Sequence, residues 1–389
     1  MMPMEIAPGI YDVGATDWIV RDFHGYKTER GASYNSYLIV DEKICLIDTV
    51  KACYADELLE KIRRVADPAK IDYVVVNHVE PDHAGALPEV LKAAPNAKFV
   101  ITMQGKNEAL RHYGDGFDFM VVKEGDKISL GSRELTFMPM PMLHWPDNMV
   151  TYCPQDGILF SNDAFGQHYA SSKRFDDEVD EYVLFYEAKK YFANILWPYA
   201  RLIGGALKKA SALDIKMIAP AHGVIWRSKI AQILEKYAAW GTGVNGKSVV
   251  IAYDTMWGGT EALARAMVEG AAAAGVKVQL MRMDRTPCST VAAELFEAGG
   301  LLLGSPTLNS GMMPTIGGML VYLKGLQPKG KKAAAFGTCG WAGGAQKDME
   351  AMLTAGGFDL QPGFNCKWRA CVDETEAARQ FAYEFAKNL

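Results

Sequence analysis

Four side chains able to hold a metal ion crowd into six consecutive residues, His78-Val79-Glu80-Pro81-Asp82-His83, one residue after the run Ile71-Asp72-Tyr73-Val74-Val75-Val76. A short apolar run of this kind reads as a buried strand, and ligand-type residues on the turn leaving it send alternate side chains the same way. Two of the chain's seven histidines lie here. Such a grip is useful only if further ligands reach the same place, so the fold must bring several strand ends to one edge of a sheet.

Three more candidates each follow an apolar run: His144 after Leu135 to Met140, Asp163 after Ile158 to Phe160, and His222 after Met217 to Pro220. Together with His78, Glu80, Asp82 and His83 they supply four imidazoles and three carboxylates, a set suited to two ions that each keep an open position. A lone histidine after a strand is more often a hydrogen-bonded core residue, but seven ligand types in this order are not explained that way. His83, directly beside Asp82, is the member best placed to turn into a supporting position instead. His112 and His168 read as structural.

At 389 residues the chain is long enough for two cores, and its 49% hydrophobic and 22% charged residues are those of a globular protein. The net charge of −5 gives no footprint for nucleic acid. The N-terminus lacks a leader pattern and no run approaches the ~18 apolar residues of a membrane span, so a cytoplasmic protein without a membrane segment is expected. Seven cysteines without a C-x-x-C pair argue against a disulfide framework and against a rubredoxin-like or zinc-ribbon module.

In the first half, short β-like runs (36–40, 44–47, 71–76, 98–101, 117–122, 134–140 and 157–161) alternate with fewer helical ones, near 55–65 and ending near Trp240. Asp41-Glu42-Lys43 between the first two runs signals a hairpin. The Gly-rich stretch 241–247 marks a boundary, giving domains 1–243 and 247–389. Beyond it, strands near 249–253, 276–281, 300–304 and 332–336 alternate with helices near 261–273, 289–297, 316–323, 345–355 and 374–386. That rhythm is the pattern of an α/β, doubly wound parallel sheet.

Three loops would lie at the carboxyl edge of that sheet, where such folds bind ligands. In Thr255-Met256-Trp257-Gly258-Gly259-Thr260, two hydroxyls and the backbone N–H groups freed by the glycines form a nest for an anion at a helix start. The loop lacks the lysine of a nucleotide P-loop and the G-x-G-x-x-G of a dinucleotide site, which favours a mononucleotide. Pro306-Thr307-Leu308-Asn309 and Thr338-Cys339-Gly340-Trp341-Ala342-Gly343 follow the next strands.

The ligand cluster and its three partners resemble the metallo-β-lactamase fold, an αββα sandwich, and the three loops resemble the phosphate and isoalloxazine loops of flavodoxins, which bind FMN. Most hydrolases of the former fold carry His where this chain has Glu80. An anionic, harder donor suits iron better than zinc. H-x-E-x-D-H followed by a flavodoxin-like half is similar to the flavodiiron proteins, over nearly the whole chain. The resemblance implies one iron on His78, Glu80 and His144, a second on Asp82, His83 and His222, and Asp163 together with an oxo or hydroxo group bridging them. His24 and Tyr191 match positions near the substrate pocket, where they would hydrogen-bond an oxygen species; the plainer alternative is a capped histidine and a packed tyrosine.

The family usually has Ser-Tyr-Gly-Trp where this chain has Thr338-Cys339-Gly340-Trp341, leaving Trp341 to stack on the flavin by itself. The implied activity passes electrons from FMN to the diiron centre, which reduces dioxygen to water or nitric oxide to nitrous oxide. The implied assembly is a head-to-tail homodimer or a dimer of dimers. With one flavin domain and no Cys₄ module, the electrons are expected from a separate donor: rubredoxin, a flavin reductase or reduced deazaflavin. Two rival readings are a lactamase-fold hydrolase with a zinc pair and a flavodoxin-like electron carrier with an inactive metal domain.

Overall fold

The computed structural model describes residues 2–389 and divides into two compact units. The first comprises the chain up to Arg21, Thr28–Tyr191 and Arg201–Gly241, and the second comprises Asp22–Lys27, Phe192–Ala200 and Thr242–Leu389. The chain makes its last passage between units at Gly241 and Thr242, inside the Gly-rich stretch. Two short segments of the first half also belong to the second unit: Phe192 and Trp197 set their rings 5.2 and 4.9 Å from that of Phe296.

The first unit is built on two sheets. One runs in the order β1 (Met4–Ala7), β2 (Ile10–Asp12), β3 (Tyr37–Val40), β4 (Ile44–Ile47), β5 (Ile71–Val75), β6 (Lys98–Ile101), β7 (Asp118–Val121). The hairpin at Asp41-Glu42-Lys43 forms as expected, pairing Val40 with Ile44, and β4 to β7 are parallel. The other sheet runs β8 (Lys127–Ser129), β9 (Glu134–Pro139), β10 (Met149–Cys153), β11 (Ile158–Asn162), β12 (Met217–Pro220). Neighbours there are antiparallel except β11 and β12.

Period-2 alternation assigns the faces. Ile39, Ile47, Val75 and Val100 meet Phe137, Met149, Ile158 and Phe160 in the core between the sheets. Leu38, Leu46, Val74 and Phe99 point the other way, onto Leu58, Ile62, Leu87 and Val90 of the helices Ala55–Arg63 and Leu87–Ala93. Met138, Val150 and Leu159 cover the outer face of the second sheet. This is the expected sandwich. Because β9 and β11 both run opposite to β10, and β12 is parallel to β11, the ends from which His144, Asp163 and His222 follow lie on one edge of that sheet.

The second unit has β13 (Gly246–Tyr253), β14 (Lys277–Arg282), β15 (Ala298–Pro306), β16 (Lys332–Cys339), β17 (Asp359–Leu360) and β18 (Phe364–Lys367). Their order is β14-β13-β15-β16-β17, with β18 also on β16, and every pair is parallel. Val250, Ala252, Leu301 and Leu303 pack on one helical layer, while Val249, Ile251, Leu302 and Phe336 pack on the other. The sheet is therefore doubly wound, with its topological switch beside β13, where ligands bind in such folds. All five expected helices form; β17 and β18 are additional and too short to carry a sequence signal. No helix among the described residues is long and apolar enough to cross a membrane.

Candidate metal centre and nucleotide cleft

β5 ends against the second sheet, where Met149 N donates to Asn77 O (2.8 Å) and Thr151 Oγ1 to Asn77 Oδ1 (2.7 Å). Asp48 anchors the same turn, accepting from Asn77 N (2.7 Å), Asn77 Nδ2 (3.0 Å) and Asn162 Nδ2 (3.2 Å). One buried carboxylate thus fixes both the strand before His78 and the residue before Asp163. Pro81 then opens a single helical turn, Pro81–Ala84, which carries Asp82 and His83 inward.

The seven expected ligands come together as two sets. His78 Nε2 lies 3.5 Å from Glu80 Oε2 and 3.7 Å from Asp163 Oδ2, and His144 Nε2 lies 3.2 and 3.4 Å from the same two oxygens. On the other side, His83 Nε2 is 3.2 Å from Asp82 Oδ1 and 3.5 Å from Asp163 Oδ1, while His222 Nε2 is 3.2 Å from Asp82 Oδ2 and 3.3 Å from Asp163 Oδ1. Donor atoms bonded at about 2.1 Å to a common cation stand roughly 3.0–3.5 Å apart. The quoted pairs fall in that range except His78 Nε2–Asp163 Oδ2, slightly wider at 3.7 Å, and the two oxygens of Asp163 face different sets. His83, the member that sequence left free to turn away, sits among the other donors.

The donor chemistry fits cations. His78 Nε2, His83 Nε2, Asp82 Oδ1 and Asp163 Oδ2 are buried without a hydrogen-bond partner among the described residues, an arrangement that is costly unless an ion uses them. Burial, the largest single effect, pulls the imidazoles down, but the carboxylates outweigh it: His144 is raised to about 10, His222 to about 9, and His78 and His83 are raised as well. Burial likewise pushes the carboxyls up, and the facing imidazoles outweigh it, so Glu80, Asp82 and Asp163 are all lowered. Protonated imidazoles balance the ionised carboxylates here, and metal ions would displace those imidazole protons.

Outer groups aim the ligands. His78 Nδ1 lies 2.9 Å from Asp147 Oδ2, which also accepts from Val79 N (2.8 Å), and His222 Nδ1 lies 2.7 Å from Ser33 O. Buried Tyr191 donates its hydroxyl to Asp163 Oδ1 (2.9 Å), placing that residue at the cluster. His24 stands on an exposed turn at φ 55° in a segment of the second unit, with its ring 4.7 Å from that of Phe23. His168 is buried, its ring 5.1 Å from Tyr191 and 5.2 Å from His222, and burial pulls it down to about 3, so it is neutral. His112 is exposed and stacks on Trp145 at 6.4 Å. Sequence reasoning missed Asp147 and Ser33; the one available signal was an acid three residues after His144.

In the second unit a cleft of about 400 Å³ is lined by Thr255, Met256, Trp257 and Gly259, by Pro306 to Ser310, and by Thr338 to Ala342. Ser310 and Trp368 on its wall were not anticipated, whereas Gly258, Thr260 and Gly343 are not on the wall. Thr260 is fully buried and its hydroxyl meets that of Thr338 at 3.1 Å, so it ties two loops together. Gly258 takes φ 80° and donates its N–H to Thr255 Oγ1 (3.1 Å). No basic side chain lines the cleft, which leaves backbone N–H groups and hydroxyls to meet a phosphate. Trp257 and Trp341 stand 94% and 89% exposed at its rim, an apolar surface that suits a flat aromatic ring system.

A lactamase-type sandwich with a paired imidazole–carboxylate cluster, followed by a flavodoxin-type sheet with a phosphate nest, defines a two-domain flavoprotein oxidoreductase. Residues 32–223 match the ODP family beta lactamase model, and residues 251–381 match flavodoxin. The chain is 46% identical to the nitric oxide reductase of Moorella thermoacetica, covering 100% of this chain and 99% of that one. Its structure superposes on the flavodiiron protein of Giardia intestinalis with a TM-score of 0.98 (38% identity, 100% of this chain and 96% of that one). It superposes on rubredoxin oxygen:oxidoreductase of Desulfovibrio gigas with 0.96 (39% identity, 100% and 98%). The chain belongs to the flavodiiron protein family and is an oxidoreductase.

Proposed function

We propose that this chain uses FMN and two irons to reduce dioxygen to water, nitric oxide to nitrous oxide, or both. The observation that carries the reading is the pair of three-residue sets sharing Asp163, with the Glu80 carboxylate where most lactamase-fold hydrolases carry an imidazole. His78, Glu80 and His144 would hold one ion, Asp82, His83 and His222 the other, and Asp163 would bridge them. When bound, flavin and iron supply the electron storage and the reductive chemistry.

The chain's own residues set the conditions for it. Asp147 and Ser33 fix the ring orientation of His78 and His222, which sets where each Nε2 points. Tyr191 keeps its phenolic proton, because burial and then the nearby carboxylates push its ionisation well up. That proton sits on an oxygen 2.9 Å from Asp163 Oδ1, in place to hydrogen-bond an oxygen atom beside the cluster. His24 is proposed for a similar role. In the cleft, the Thr255–Gly259 loop would receive the FMN phosphate, and the loops at 306–310 and 338–342 the ring system.

The names of the relatives support a rubredoxin-type donor and a gaseous substrate. A head-to-tail homodimer, or a dimer of such dimers, would bring one subunit's flavin to its partner's irons. The test is to purify the protein, quantify metal and flavin, reduce it without oxygen, and add dioxygen and nitric oxide separately. Two irons and one FMN per chain, reoxidised by at least one gas, are expected. Two zinc ions with thioester hydrolysis and no flavin would refute the reading.

A further inference from the structure

The cleft's third tryptophan comes from outside the three loops that define it. Trp368 directly follows the edge strand β18, whose Lys367 pairs with Cys339. Its N–H donates to Cys339 O (2.7 Å), and its carbonyl lies against the start of the helix Gly259–Ala273, where a Cβ on Gly259 would come within 2.8 Å of it. The backbone of Trp368 is therefore clamped between the loop after the first strand of the sheet and the loop after the fourth.

Between those clamps Trp368 adopts φ 59°, a left-handed conformation that is uncommon and strained for a bulky residue. The turn lays the indole over Gly340, where a Cβ would meet Trp368 Cη2 at 2.9 Å, and brings the ring within 5.8 Å of Trp341 at 46°. The strain does not secure burial, because Trp368 remains 64% exposed. A tryptophan that served packing alone would be covered. The β16 loop lines the cleft from Thr338 to Ala342, but between Thr338 and Trp341 it offers only a thiol and a bare glycine, at Cys339 and Gly340.

We propose that Trp368 contacts the flavin ring, its indole forming the aromatic wall of the cleft where Cys339 and Gly340 leave none. The proposal rests on the FMN reading above and extends it to a residue outside the loops that the sequence singled out. Trp341 then shares the aromatic contact.

The test compares Trp368→Leu, which keeps apolar bulk over Gly340 without an aromatic face, with Trp368→Phe, which keeps the face. For the purified full-length proteins, FMN dissociation is followed by flavin fluorescence and the visible flavin band is recorded. Without the aromatic stacking face, Trp368→Leu is expected to raise the FMN Kd roughly ten- to a hundredfold and shift the band. Trp368→Phe is expected to stay within about threefold of the unchanged protein, since most of the stacking face remains. Equal Kd and identical bands in all three proteins would overturn the role of Trp368 and leave the FMN reading standing. An unchanged protein that takes up no FMN would instead overturn that reading.

Discussion

Replacing Asp147 by alanine isolates what the groups behind the metal ligands do. The carboxylate meets His78 Nδ1 and Val79 N through one oxygen, at 2.9 and 2.8 Å, and its side chain is 1% exposed. Removing it takes the nearer acceptor from the buried Val79 N–H and leaves only His78 Nδ1, 3.1 Å away, at a cost of up to about 1–3 kcal/mol. It also frees the His78 ring to rotate and lowers the basicity of its other nitrogen. Loss of such a partner typically costs 10- to 100-fold in metal affinity, or about 1.4–2.7 kcal/mol. Asp147→Asn should recover part of the loss, because its amide oxygen can accept from both groups while the charge is gone. The assay is a competition for iron against a chelator of known affinity, with thermal unfolding of the metal-free protein in parallel. Asp147→Ala holding both irons as tightly as the unchanged protein would show that His78 is aimed by its own backbone and that the reasoning is wrong.

Tyr191→Phe removes only the hydroxyl on Asp163 Oδ1; bound iron is expected to stay at its original level while product formation slows by roughly a hundredfold, and unchanged turnover would remove Tyr191 from the mechanism. Asp163→Asn withdraws the one charge that both sets share, so metal analysis should find fewer than two irons per chain, and a fully loaded variant would contradict the bridging assignment. Glu187 is buried, and burial raises its carboxyl from 4.5 to about 7 despite Lys190 and Arg30. Between those values the folded state holds more protons than the unfolded one. Its contribution therefore lowers stability as pH rises through that window, by up to about 1.4 kcal/mol per pH unit, and Glu187→Gln should flatten the slope in denaturant titrations at several pH values.

Much of this was legible in the chain because it rested on local pattern. The run ending at Val76 and the alternation after 247 reflect buried strands, and the candidate ligands follow such apolar runs, which is how the sequence pointed to them. The doubly wound half was the more readable, since parallel strands buried on both faces are continuous apolar runs. What escaped depends on contacts between distant segments. Met149–Cys153, fully buried between β9 and β11, is missing from the runs expected from sequence. Phe192–Ala200 belongs to the second unit through Phe296, a partner about a hundred residues away that no local signal announces. Trp368 was invisible for the same reason, and Asp147 had only its place three residues after His144 to announce it: their roles come from what the fold sets beside them.

The two ligand sets are close to interchangeable as chemistry. Each offers two imidazole Nε2 atoms, one carboxylate of its own and one oxygen of Asp163. Donor type would therefore give neither of two bound ions a distinct character, and any polarity of the pair would have to come from the surroundings. One set is backed by Asp147 and by Trp145, whose ring lies 5.0 Å from His78. The other has a backbone carbonyl behind His222, neutral His168 beside it, and the Tyr191 hydroxyl on the Asp163 oxygen that faces it. The frame around this nearly symmetric pair thus gives it an apolar, anion-backed end and a proton-bearing end, an asymmetry that the seven donors themselves lack.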